Sequence, residues 1–118
     1  MTAAEINQLK TTPKQAVAAP GSGIIACPMI MIGKNKFNTT AFVGGAINLA
    51  YASGGATMGS YTAAFTTAVA DKLQQKTVIG ADILENTALE YNVAGTDPTL
   101  GDGKIESILK YSLEKFTI

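Results

Sequence analysis

Asp97 and Asp102, with the nearby Asp82, Glu85 and Glu90, are the first place to look for chemistry. A calcium site needs six to eight oxygens, and an aspartate-rich glycine loop can supply several of them. The loop Asp97-Pro-Thr-Leu-Gly-Asp-Gly103 lacks the alternating carboxylates of an EF-hand. Asp-Pro and Asp-Gly pairs are ordinary turn formers, so the loop reads as a turn and no metal is expected. A carboxylate pair is the formal requirement for glycoside hydrolysis, but nothing in this spacing sets two such groups across a cleft. Cys27 lies in the apolar run Ile24-Ile25-Ala26-Cys27. It reads as a small buried hydrophobe, since a nucleophilic thiol wants a histidine and the chain has none. Lys34 and Lys36 flank Asn35 just before Phe37, a meagre platform for single-stranded nucleic acid and a natural hairpin tip. Gly54, Gly55 and Gly59 are not followed by the Gly-Lys-Ser/Thr of a phosphate loop. Tyr51, Tyr61, Tyr91 and Tyr111 could stack on sugars as in a lectin site, or sit half-buried in a sheet with their hydroxyls at the surface.

Composition narrows the field further. The 118 residues carry nine lysines and nine carboxylates and contain no arginine, histidine or tryptophan. Histidine catalysis and arginine clamps are thereby excluded within one chain, and the basic footprint of a nucleic-acid binder is missing. No enzyme activity, cofactor or nucleic-acid partner is expected. A lone cysteine offers no disulfide framework. Met1-Thr-Ala-Ala-Glu5 lacks the basic and apolar regions of a signal peptide, and the longest apolar run, Ile24 to Ile32, has nine residues and contains Pro28. A membrane helix takes about twenty, so a soluble, non-secreted chain without a membrane partner is the expectation. Only 15% of residues are charged while 47% are hydrophobic. Part of that apolar surface is expected to be covered by other copies.

The elements that must carry these residues are mostly strands. Residues 1–21, punctuated by Pro13 and Pro20-Gly21, read as an extended arm or linker after one or two helical turns, with Ile6, Leu9 and Val17 as contacts to a neighbour. Residues 22–118 then form one domain. Gly23 to Gly33 suits a buried strand that Pro28 marks as an edge or a bulge, with Lys34-Asn35-Lys36 as the turn after it. Ala46 to Ala52 alternates as a strand, with Ser53-Gly54-Gly55 as a hairpin turn. Thr77-Val-Ile79 and Ala88 to Val93 are further short strands. Tyr61 to Leu73 fits a strand or a helix capped by Ser60, and Lys104 to Phe116 is equally open. The fold class expected is all-β: a β-sandwich or jelly roll of about seven to eight short strands, with at most one short helix. No charge occurs from Phe37 through Ala70. That stretch is either a pair of central strands or a subunit interface, whose core is depleted of charge. The interface is the favoured reading, with Ile47, Leu49, Tyr51, Tyr61 and Phe65 as its contacts.

Two segments carry a family resemblance. Tyr51-Ala-Ser-Gly-Gly-Ala-Thr-Met-Gly-Ser-Tyr61 and Asp97-Pro-Thr-Leu-Gly-Asp-Gly-Lys104 resemble small structural proteins of bacteriophage virions, of the capsid decoration and head-fibre type. Such proteins often have a Gly-Ala-Thr-x-Gly-x-Tyr-Thr segment, here Gly55 to Thr62. They tend to end in a Gly-Asp-Gly turn leading to a last strand, here Lys104 to Tyr111. The resemblance spans about residues 45–113. It implies a β-sandwich that assembles as a homotrimer or another symmetric oligomer, binds other virion proteins such as the major capsid protein, and is assembled in the host cytoplasm. It also implies that the C-terminal segment is a strand. The proline-containing arm departs from the pattern. A lectin-like, carbohydrate-binding β-sandwich is the alternative.

Overall fold

The computed structural model describes residues 1–52, 54–78 and 82–117. Among these residues the chain forms an all-β sandwich of seven strands in two antiparallel sheets, with two one-turn helices. The strands are β1 (Lys14–Val17), β2 (Ile24–Lys36), β3 (Ile47–Tyr51), β4 (Thr57–Tyr61), β5 (Lys72–Thr77), β6 (Leu89–Val93) and β7 (Lys104–Lys115). One sheet runs β1-β6-β3-β4 and the other β5-β2-β7. Helix α1 (Ala3–Ile6) precedes β1, and α2 (Ala63–Thr66) links β4 to β5. Between the sheets lies one core that includes Leu49, Tyr61, Phe65, Met31 and Ile105.

The first 21 residues do not form an arm. Thr2 and Glu5 close a reciprocal capping box on α1, which starts the helix despite its shortness. Ile6 and Leu9 then turn fully into the core, and Val17 follows from β1. β1 is hydrogen-bonded to β6 as the edge of the four-stranded sheet. Chain entry is fixed at Met1, whose nitrogen donates to the Ile105 carbonyl (2.6 Å) while the Ile105 N–H donates to the Met1 carbonyl (3.0 Å).

β2 continues through the expected turn at 34–36. Its inward residue there is Asn35, 1% exposed, whose Nδ2 donates to the carbonyls of Phe65 (2.7 Å) and Thr66 (3.0 Å). Those are end carbonyls of α2, which an internal partner must satisfy once they are buried. A polar residue that looks like a turn former is thus a helix cap reached across the core. Lys34 and Lys36, its neighbours, fall on the opposite face of the strand. Pro28 marks a bulge, where β2 shifts register against β7 between Pro28 and Ile30. β5 pairs with β2 only from Ile30 to Asn35, so the absent proline N–H interrupts no ladder on that side.

The ambiguous segment 61–73 is neither one strand nor one helix. β4 ends at Tyr61, Thr62 caps α2 by accepting from the Phe65 N–H, and β5 begins at Lys72. Ser60 is no cap; its hydroxyl donates to Asn48 (2.6 Å). The C-terminal segment is strand throughout, paired with β2 from Lys104 to Lys115. Thr77 closes β5 and Val78 follows it; Ile79 lies outside the described residues, as does Ser53 of the β3–β4 turn.

Candidate functional site

The residues expected at an oligomer interface are in the core of their own chain. Ile47, Leu49, Tyr51, Tyr61 and Phe65 are each exposed by 1% or less within one copy, which corrects the interface reading. β3 is buried along its whole length, so the uncharged stretch reflects a central strand and its neighbours. The same correction applies to Ile6, Leu9 and Val17: packed in the core, they have no surface to offer a shell.

The tyrosines are occupied inside the fold. The Tyr51 hydroxyl donates to the Ala26 carbonyl (2.7 Å). The hydroxyls of Tyr61 and Tyr91 both meet Ser107 Oγ, each at 2.6 Å, linking the two sheets. The Tyr61 ring also lies 4.8 Å from that of Phe65, centroid to centroid. Burial pushes the phenols of Tyr51, Tyr61 and Tyr91 above their ordinary range, so they stay neutral donors. Of the four tyrosines only Tyr111 is exposed, so the four do not form a row of stacking platforms for sugar.

The acidic loop is a pair of clamps. Asp102 accepts from the Thr39 hydroxyl, the N–H groups of Thr40 (2.8 Å) and Thr39 (3.0 Å), and Asn38 Nδ2 (3.0 Å). These donors stabilise the ionised form and draw its pKa down from 3.8 to about 2. Partial desolvation of Asp97 opposes ionisation, but the Lys10 N–H and the Thr11 hydroxyl and N–H outweigh it and hold its pKa below the ordinary value. Glu5 is likewise drawn from 4.5 to about 2, first by Lys14 and then by the Thr2 N–H. Glu106 is lowered by Lys104 (3.0 Å) and, after a small desolvation cost, by Lys36 (3.4 Å). Each of these carboxylates already has donors from its own chain. No group of three or more metal-ligating side chains occurs among the described residues.

A pH dependence follows from these clamps. A carboxylate whose folded pKa is depressed adds stability above its unfolded pKa and loses it as pH falls towards the folded value. Between about pH 4 and pH 2 the contributions of Glu5 and Asp102 should therefore disappear. Thermal unfolding followed by circular dichroism should show a melting temperature that falls across that window, and Asp102→Asn should reduce the fall. A melting temperature flat from pH 5 to 2 would contradict the clamp.

The cavities are shallow. One of about 390 Å³ lies beside Asp102, lined by Thr2, Phe37, Asn38 and Lys104. A second, of about 270 Å³, opens between the edges of β1 and β7 and is lined by Gln15, Tyr91, Ser107, Leu109 and Tyr111. Neither brings together an acid and a base free of structural partners. The uncovered apolar side chains are of more interest. Ile108 (58% exposed), Tyr111 (43%), Leu113 (56%) and Phe116 (72%) follow one another along β7 and just past its end. No local signal marks them as surface, because an apolar residue in a strand has the same appearance whether a second layer or water lies over it.

No protein-family model, no curated protein and no solved structure matches the chain.

Proposed function

We propose that this is a non-enzymatic structural protein that works by symmetric self-association, and that its setting is a bacteriophage virion, where it decorates or reinforces the capsid. The observation that carries this reading is the pairing of engaged chemistry with uncovered apolar surface. The clamped carboxylates and buried tyrosines serve the fold itself, while Ile108, Tyr111, Leu113 and Phe116 stand in solvent along one strand. Ile108 and Phe116 lie on one face of it and Tyr111 and Leu113 on the other, and a strand edge with apolar side chains uncovered on both faces is suited to association. The virion setting rests on the resemblance of Gly55–Thr62 and Asp97–Tyr111 to capsid decoration and head-fibre proteins. Its partners in this reading are other copies of itself and shell proteins such as the major capsid protein. Attachment falls to the outer surface, since Ile6, Leu9 and Val17 are packed in the core. A sugar-binding role has less support, because three of the four tyrosine rings are buried.

Virus particles that lack this protein should lose integrity at lower temperature, or on dilution into low salt, and recover when the purified protein is added back. Particles equally resistant with and without it would remove the reinforcing role.

A further inference from the structure

β7 closes the three-stranded sheet, and among the described residues no strand pairs with its outer edge. Ile105 turns both main-chain groups to that edge, where Met1 takes them. The alternation of an antiparallel ladder then turns the N–H and C=O groups of Ser107, Leu109, Tyr111 and Leu113 the same way, beyond Met1. An unpaired edge of this length is a template for another strand. It carries no proline, and its bulge lies on β2.

We infer that this edge pairs antiparallel with the same edge of a second copy, about a two-fold axis between the two Ser112 residues. This inference deepens the self-association reading above and rests on it. In this register Lys110 faces the partner's Glu114, Ile108 faces the partner's Phe116 and Tyr111 faces the partner's Leu113, each pair occurring twice. Each of the four exposed apolar side chains thus gains an apolar cross-strand neighbour, Ile108 and Phe116 on one face and Tyr111 and Leu113 on the other, and the ladder extends one residue past Lys115 to include Phe116. Neighbouring registers fit less well. Centred on Lys110, the pairing opposes lysine to lysine and Glu106 to the partner's Glu114, and like charges directly opposite are unfavourable. Centred on Leu109, it needs the Ile105 groups that Met1 already holds. Centred on Tyr111, it leaves Lys110 facing serine and Glu114 facing isoleucine.

Charge complementarity selects a second copy of this chain as the occupant. Lys110 and Glu114 take part in none of the ion pairs among the described residues. Four residues apart on one strand, they are separated by about 13 Å and cannot reach each other within a copy. Their match exists only across the two-fold axis. Such an isologous contact closes at two copies.

Light scattering after size exclusion, over a range of concentrations, tests this. The native protein should give a mass near twice the 12.2 kDa chain. Lys110→Glu sets two carboxylates face to face at both ends of the contact and should weaken dimerisation about ten-fold or more. Glu114→Lys should do the same, and the double exchange should restore the native dimer, while circular dichroism confirms that each variant is folded. A native oligomer indifferent to the single reversals, or a mass three times the chain, would overturn this edge and leave self-association standing. A single-chain mass at every concentration would overturn both.

Discussion

Replacing Ile6 and Leu9 together by alanine should leave a protein that barely holds its fold at room temperature. Both side chains are completely buried, although they lie in a segment whose prolines and lack of period suggest a loose arm. Truncating a buried isoleucine or leucine to alanine costs about 2–5 kcal/mol, because the apolar contact is lost and a cavity remains. Two such changes approach the whole stability of an ordinary domain, about 5–15 kcal/mol. The residues lie close together and share one part of the core, so the double effect falls somewhat short of a simple sum. Urea unfolding followed by circular dichroism is the measurement. The midpoint should drop steeply at unchanged slope, whereas Ile6→Val should cost only about 0.5–1.5 kcal/mol. A double variant within about 1 kcal/mol of the native protein would mean that the first residues are a dispensable arm.

Phe65→Ala should cost about 3–5 kcal/mol and lower the melting temperature by more than about 10 °C, with no direct effect on association. The ring is fully buried and packs 4.8 Å from Tyr61, centroid to centroid. It also fills the space above Gly33, where an added Cβ would come within 2.8 Å of Phe65 Cζ and of the Tyr61 ring. Glycine in β2 and phenylalanine in α2 are therefore complementary halves of one contact between the three-stranded sheet and the helix. Phe65→Leu should recover part of the loss. If Phe65 were an interface residue, the alanine variant would instead change the mass of the protein and leave the stability of one copy nearly unaltered. Calorimetry and light scattering on the same sample separate the two outcomes.

The elements that could be read from the chain are those whose signals are local. Alternation at 46–52 marks β3, and the apolar run after Gly23 marks β2, because side-chain period and β-branching act within a few residues. The aspartates at 97 and 102 read as turn residues, and their carboxylates do hold loop N–H groups. The candidate contact residues are less legible in the chain. An absence of charge has the same appearance in a central strand as in a subunit interface, since both are sealed from water. Ile47, Leu49, Tyr51, Tyr61 and Phe65 could not be assigned to one or the other without knowing what lies over them. Likewise, Lys34-Asn35-Lys36 has turn composition, and only the carbonyls of α2 explain why Asn35 belongs inside a strand.

By itself, then, the sequence determined the class of the fold and the chemistry it excludes. Short alternating segments and turn residues specify an all-β sandwich through interactions within a few residues, and a chain without histidine or arginine lacks the reactions and clamps that need them. The tertiary structure alone decided which apolar residues are core and which are surface. Burial depends on partners far apart in the chain, as when residues near the first methionine seal the beginning of the last strand. That same arrangement leaves the rest of β7 with unpaired main-chain groups and four apolar side chains in water, the feature on which the proposed pairing of two copies depends.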